Sequence, residues 1–153
     1  MILQVNNVIP EEKRISLLNF LKPLHKNLGE NFPKLQTTPD LHHLSEMDFF
    51  ILKVKDILFD YHPEHSPCHI LKCWGNWTDG TYLNWHNHPE SVFSIVYYLK
   101  NEDKIGTAFR NNEKESQRKR PENSLIIFPS DIPHSVPQTS QIIDRYSIAI
   151  DIT

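Results

Sequence analysis

Three histidines have the residue type and the spacing of a metal site. His86 and His88 stand two positions apart near the end of a predicted strand, and His134 follows the apolar run 125–128. Residues i and i+2 of a strand point to the same face, so an extended chain aims both imidazoles of the pair at one point. Together with one distant ligand, this pattern is typical of a facial metal site with open positions. A histidine pair at a strand end is equally typical of a polar surface.

One arginine begins the last predicted strand, which is otherwise largely apolar. Arg145 lies two positions before Ser147, and alternation places both side chains on one face. An unpaired buried charge is costly, and the planar guanidinium suits a carboxylate held by two hydrogen bonds. The hydroxyl of Ser147 could help Arg145 to hold that carboxylate. Tyr98, on the strand after the histidine pair, is a candidate for a second hydroxyl donor to it. The alternative partner for Arg145 is an internal aspartate or glutamate.

Short runs rich in β-branched and aromatic residues occupy the chain after Pro67, separated by turn residues such as Asp79-Gly80. At least seven short strands without an intervening helix indicate a sandwich, jelly roll or barrel. The predicted strands are 70–77, 82–88, 92–100, 106–110, 125–128, 135–136 and 145–152.

The first sixty residues have helical periodicity instead. Apolar residues recur at helical spacing over 11–28 and again over 47–61, and a glycine and a His-Pro pair follow the two stripes. Ser45 with Asp48 three positions later resembles a capping box at the start of the second helix. These helices are expected to pack against the β region and to carry no chemistry.

Length, charge and cysteine count narrow the class of protein. The 153 residues fit one domain, with 1–66 as a helical support region and 67–153 as the β core. The formal net charge of −3 argues against a general nucleic-acid binder but leaves a local basic patch open. Strand-sized apolar runs and the lack of a signal-peptide pattern predict no membrane span and a soluble, cytoplasmic protein. Two cysteines do not suggest a disulfide framework.

The segment 111–122 is strongly charged and carries both signs. Such a run predicts a solvated loop or an edge strand rather than a nucleic-acid contact. The sequence leaves open whether this segment acts as a lid over a binding site.

The combination of motifs resembles a known superfamily, the iron- and 2-oxoglutarate-dependent oxygenases. The motifs are His86-x-His88, the strand 94–99, the segment 128–136 around His134, and Arg145-Tyr-Ser. The chain is most similar to the 2OG-Fe(II) oxygenases of bacteria and marine phages. It is more distantly similar to the hypoxia-factor prolyl hydroxylases, which share the Tyr-Tyr-Leu and Arg-Tyr strands. The resemblance covers the β region and is much less specific in the helical one.

This resemblance implies a fold and a set of site residues. The implied fold is mainly β, a double-stranded β-helix of the jelly-roll, cupin-like kind, with N-terminal helices packed against it. His86 and His134 match the two iron-binding histidines of the superfamily. Tyr98, Arg145 and Ser147 match the residues that grip the distal carboxylate of 2-oxoglutarate.

The chain departs from the superfamily at His88, where most members have an aspartate or a glutamate. With His88 as a ligand, three neutral imidazoles replace the 2-His-1-carboxylate set and leave the iron more positive. Asp79 and Glu90 are the nearby carboxylates that would otherwise complete the site. The i+2 spacing favours His88 over both of them.

The sequence therefore predicts an Fe(II)- and 2-oxoglutarate-dependent dioxygenase, a hydroxylase that uses O2 and releases succinate and CO2. One alternative is a three-histidine, cupin-type dioxygenase that does not use 2-oxoglutarate, and it gives Arg145 no clear role. Another is a non-catalytic jelly-roll binding module whose histidines are surface residues. The sequence indicates neither the primary substrate nor the oligomeric state.

Overall fold

Two helices and ten strands make up the part of the chain that the computed structural model describes, residues 2–25, 34–79, 82–111, 114–116, 118–139 and 144–153. Helix α1 is Glu11–Leu21 and continues into a 3-10 turn, Lys22–His25. Helix α2 is Asp48–Tyr61. Neither helix within these ranges is long and apolar enough to cross a membrane.

The strands are short and lie mostly after the helices. In chain order they are β1 Leu3–Val5, β2 Lys34–Gln36, β3 Ile70–Thr78, β4 Leu83–His86, β5 Phe93–Asn101, β6 Ala108–Asn111, β7 Lys114–Ser116, β8 Ser124–Pro129, β9 His134–Val136 and β10 Arg145–Ile152.

The strands form two antiparallel sheets that pack face to face. The larger sheet has the order β1-β8-β5-β10-β3-β2, and the smaller one has the order β4-β9-β6-β7. Phe109 of β6 meets Phe128 of β8 with ring centroids 4.8 Å apart, so the two sheets share a small apolar core. The non-sequential strand order, with strands exchanging between two layers, is the jelly-roll arrangement that the strand pattern predicted.

Strand β10 separates two environments because its side chains alternate across the larger sheet. The residues that pack toward the helices are Tyr146, Ile148, Ile150 and Ile152. Those that face the smaller sheet and line a cavity are Arg145, Ser147, Ala149 and Asp151. The polar residues of this strand therefore share one face, opposite the helix-packed core.

The N-terminal region 1–66, predicted as a helical support region, also contributes strands. Strand β1 pairs with β8 at one edge of the larger sheet, and β2 pairs with β3 at the other edge. Each of these edge strands has three residues, too few for an alternating pattern to stand out in a sequence. The charged segment contributes β7, an edge strand of the smaller sheet, and its residues 112, 113 and 117 lie outside the described part of the chain.

The helices differ from the sequence prediction in the start of α2 and in the buried face of α1. The capping box at Ser45 does not form, because a 3-10 turn, Ser45–Met47, comes before α2 and no side chain caps the helix. Two residues of the predicted stripe over 11–28 are exposed, Ile15 by 47% and Leu24 by 38%. Arg14 is buried instead and donates to the carbonyl of Leu99 at 2.8 Å, so tertiary contact decided which face of α1 packs.

His25 makes the stability of the metal-free fold dependent on pH. It is buried between Tyr146 and Trp77, and burial lowers the pKa of its imidazole below the ordinary value of 6.5. The unfolded chain then binds a proton that the folded chain rejects, so stability falls as pH drops below about 6.5. Between pH 7.5 and 5.5 the loss from this one group is at most about 1.4 kcal/mol.

The test is urea unfolding of metal-free wild type and His25→Gln at these two pH values. We expect the variant to lose less stability on acidification than wild type does. It keeps some dependence, since burial lowers the pKa of His134 as well. Equal losses in the two proteins would show that His25 does not contribute.

Candidate active site

Three imidazoles converge where the smaller sheet meets the cavity. His86 ends β4 and pairs across the ladder with His134, the first residue of β9, and their ring centroids are 4.2 Å apart. With His88 they form a group whose metal-binding atoms all lie within 4.8 Å of one another. His88 lies beyond the end of β4, not on the strand as predicted. Its backbone N–H donates to the carbonyl of Ser130 at 2.8 Å, so the neighbouring loop holds it in place.

Hydrogen bonds fix the same tautomer in all three rings. Nδ1 of His86 lies 2.8 Å from the carbonyl oxygen of Asn84, and Nδ1 of His134 lies 2.9 Å from that of Ile132. Nδ1 of His88 lies 2.8 Å from a carboxylate oxygen of Asp151. Carbonyl and ionised carboxylate oxygens only accept hydrogen bonds, so each Nδ1 carries the hydrogen. Each Nε2 therefore keeps its lone pair for a metal, as in protein metal sites with a hydrogen-bonded outer shell.

Burial keeps His134 in the neutral form that a metal requires. Desolvation, with a smaller contribution from the neighbouring histidines, lowers the pKa of this imidazole to about 4. At neutral pH its Nε2 is therefore able to bind a metal and is not an N–H donor.

A cavity of about 310 Å³ lies between the two sheets and brings the predicted site residues together. Its lining is mainly apolar, and its polar side chains converge from both sheets, as is typical of a small-molecule site. The predicted residues that line it are His86, His88, His134, Tyr98, Arg145 and Ser147.

Arg145 is buried and incompletely paired. Its Nε donates to the side-chain oxygen of Asn101 at 3.1 Å. Nη2 lies 3.5 Å from a carboxylate oxygen of Asp103, which partly realises the internal partner considered from the sequence. Neither Nη1 nor Nη2 has a hydrogen-bond partner among the described residues. Arg145 lines the cavity, and its two terminal nitrogens keep hydrogen-bonding capacity for an anionic ligand.

The hydroxyl of Tyr98 is held by a residue that the sequence analysis missed, Thr107. The backbone N–H of Thr107 donates to the Tyr98 hydroxyl at 2.7 Å, and the two hydroxyl oxygens are 2.5 Å apart. Both residues line the cavity, so the pair can offer one hydroxyl hydrogen to a ligand. Gly106 allows this approach, since a Cβ there would lie 2.5 Å from the Tyr98 oxygen.

The carboxylates considered as substitutes for His88 lie elsewhere. Asp79 and Glu90 are exposed, and neither belongs to the three-histidine group found among the described residues. The carboxylate that does contact the group is Asp151, on β10. It lies six residues after Arg145 on the same face, so strand alternation predicts its face but not its contact with His88.

Comparison with known proteins yields no match at the level of sequence but clear similarity in fold to solved structures. No protein-family model matches the chain, and no curated protein matches it. A Pseudomonas putida prolyl-4-hydroxylase superposes with a TM-score of 0.75 at 15% identity, covering 99% of this chain and 91% of that one. HygX from Streptomyces hygroscopicus, solved with nickel and 2-oxoglutarate bound, gives 0.76 at 13% identity over 99% and 82% of the two chains. A 2OG-Fe(II) oxygenase family oxidoreductase from Burkholderia pseudomallei gives 0.76 at 12% identity over 99% and 84%.

The chain has the double-stranded β-helix fold. This confirms the fold that the sequence resemblance implied. The superposition spans 99% of the chain, so it includes the N-terminal helices as well as the strands.

Proposed function

We propose that the protein is an Fe(II)- and 2-oxoglutarate-dependent oxygenase that hydroxylates its substrate. The observation that carries the proposal is the set of side chains that line one cavity. Three imidazoles with converging metal-binding nitrogens line it together with a buried arginine, whose two terminal nitrogens have no hydrogen-bond partner among the described residues. The similarity in fold to 2-oxoglutarate oxygenases supports the same assignment.

The donor set fits a divalent iron. His86, His88 and His134 would hold the metal through Nε2 and leave its remaining positions to ligands from the cavity. Bound Fe(II) with 2-oxoglutarate supplies the activation of O2, with succinate and CO2 as products. The protein's own contribution is to fix the three rings through their Nδ1 hydrogen bonds before the metal arrives.

The arginine end of the cavity fits the cosubstrate. Arg145 would bind the distal carboxylate of 2-oxoglutarate through Nη1 and Nη2. The Tyr98–Thr107 pair would donate its free hydroxyl hydrogen to the same carboxylate, with the hydroxyl of Ser147 on the Arg145 face as a second donor. Burial raises the pKa of Tyr98, which keeps it a protonated donor.

Aromatic and amide side chains line another part of the cavity and would contact the primary substrate. Trp74 stacks near His88 with ring centroids 6.1 Å apart, and Trp85 stacks under the guanidinium of Arg110 at 4.1 Å. Gln36 donates to Asn76 at 2.8 Å and both line the cavity. These groups would exclude water and orient the substrate, whose identity they do not specify.

The two alternatives explain fewer of these contacts. A cupin-type dioxygenase without 2-oxoglutarate gives no ligand to the terminal nitrogens of Arg145, which have no hydrogen-bond partner among the described residues. A non-catalytic module gives no reason for three rings with the same tautomer to face one cavity. A cytoplasmic location stays a prediction, with which the free thiols of Cys68 and Cys73 are compatible.

The test is an anaerobic titration of metal-free protein with Fe(II) and then with 2-oxoglutarate. We expect the visible metal-to-ligand charge-transfer band of the iron–2-oxoglutarate chelate to appear in wild type. Iron binding without the band would favour the cupin-type alternative. If Fe(II) does not bind under reducing conditions, the oxygenase proposal is wrong and a binding module is left.

A further inference from the structure

Asp151 is a buried carboxylate whose contacts point to a cation. It is 5% exposed on the central strand β10. One carboxylate oxygen accepts from Nδ1 of His88 at 2.8 Å, and the other accepts from the hydroxyl of Ser94 at 2.8 Å. Ser94 is in turn 2.9 Å from the hydroxyl of Ser130. Each carboxylate oxygen thus accepts a hydrogen bond, one from a histidine and the other from a serine, and neither is bound by a lysine or an arginine among the described residues.

This carboxylate lacks the compensation that burial of a charge normally needs. Within the described residues it contacts the neutral ring of His88 and pairs with no lysine or arginine. An uncompensated buried charge is strongly destabilising, whereas a carboxylate that shares its histidine with a metal is balanced by the ion. His88 connects the two, because its Nδ1 faces Asp151 and its Nε2 faces the other two imidazoles.

We propose that Asp151 is the positioning residue of the metal site and supplies, through His88, the negative charge that three neutral imidazoles lack. It would orient the His88 ring, fix its tautomer and raise the basicity of Nε2. The inference rests on the metal site of the proposed function and not on its 2-oxoglutarate pocket. It explains why a histidine at position 88 is compatible with a functional site. The carboxylate would not bind the ion directly, as in the 2-His-1-carboxylate set, but would act through its hydrogen bond to His88.

Ser94 and Ser130 have a defined part in this arrangement. Ser94 occupies the oxygen of Asp151 that His88 does not use, and Ser130 both contacts Ser94 and accepts the backbone N–H of His88. The loop before His134 and the turn that carries His88 are therefore tied to the same carboxylate. Metal affinity should therefore depend on the hydrogen-bonded series Ser130–Ser94–Asp151, although none of these three residues is proposed as a metal ligand.

The test measures Co(II) affinity of the full-length, metal-free protein without 2-oxoglutarate, by competition with a chromophoric chelator. The variants are Asp151→Asn, which keeps the shape and removes the charge, and Asp151→Ala. We expect both to bind Co(II) about 10- to 100-fold more weakly than wild type, with Asp151→Ala the weaker. The matched control is Asp131→Asn, an exposed carboxylate on the loop before His134 that contacts none of the three rings, and its affinity should match that of wild type.

A double-mutant cycle separates positioning from a merely structural role. In a His88→Ala background, Asp151→Asn should change Co(II) affinity by less than about 3-fold, because the side chain through which it acts is gone. An equal loss in both backgrounds would show that Asp151 supports the fold alone and would overturn the inference. If wild type binds Co(II) and Asp151→Asn binds it equally well, the inference fails while the proposed function stands. If wild type binds no Co(II), both fail.

Discussion

Replacing His134 with alanine is expected to weaken Fe(II) binding by more than about 100-fold and to abolish the charge-transfer band with 2-oxoglutarate. Loss of an outer partner of a metal ligand already costs roughly 10- to 100-fold, and loss of a ligand itself should exceed that. His134 is also the most buried of the three histidines, packed against Phe128 with ring centroids 4.8 Å apart. No other metal-binding side chain joins the group within the described residues, so nothing in that part of the chain is placed to substitute.

The matched control for this variant is His25→Ala. His25 is equally buried, but it lies on the helix side of the larger sheet and outside the cavity. Both variants lose a buried imidazole, and both can be compared by far-UV circular dichroism and by Fe(II) titration. Wild-type iron affinity in His134→Ala, or an equal loss in His25→Ala, would contradict the assignment of the metal site.

The β core was predictable because its signals are local. Strand β10 has the bounds that alternation and β-branched residues indicated. Strand β3 differs from its prediction by one residue at one end, and β5 by one residue at each end. The three-residue strands β1 and β2 were missed, because their pairing with distant strands determines them. The same holds for α1, whose buried face includes Arg14 through a contact with β5.

The residues of the candidate site could be predicted from the sequence, but most of their hydrogen-bond partners could not. The six residues chosen from the sequence line one cavity, although their binding of metal and cosubstrate stays a prediction. His88 was found by its spacing from His86, yet a turn and a backbone hydrogen bond to Ser130 position it, and the strand does not. Asp151 and Thr107 were missed because their importance comes from partners that are distant in sequence or carried by another strand. Hydrogen-bond partners of this kind depend on sheet register, which one sequence does not determine.

Replacing Arg145 with methionine is expected to weaken 2-oxoglutarate binding by about 30-fold or more, which corresponds to roughly 2 kcal/mol or more for one side of a buried charge pair. Methionine keeps much of the volume and removes every donor. Arg145→Lys should recover only part of the affinity, since an ammonium does not reproduce the planar fork. The measurement is the 2-oxoglutarate dependence of the charge-transfer band at saturating Fe(II). Fe(II) affinity without cosubstrate should change by less than about 3-fold in both variants, since Arg145 contacts none of the three histidines in the structure.

Two further variants decide between a cosubstrate role for Arg145 and an internal ion pair. Asp103→Asn removes the carboxylate that lies 3.5 Å from Nη2, and it should leave 2-oxoglutarate affinity unchanged or slightly higher. Arg14→Met removes another buried arginine, which bonds to Leu99 and Glu11 on the helix side, and it should lower stability without changing that affinity. If Arg145→Met and Asp103→Asn lower stability equally and neither alters cosubstrate binding, Arg145 is a structural partner of Asp103. A selective loss of affinity in Arg145→Met instead assigns its two terminal nitrogens, which have no hydrogen-bond partner among the described residues, to the carboxylate of the cosubstrate.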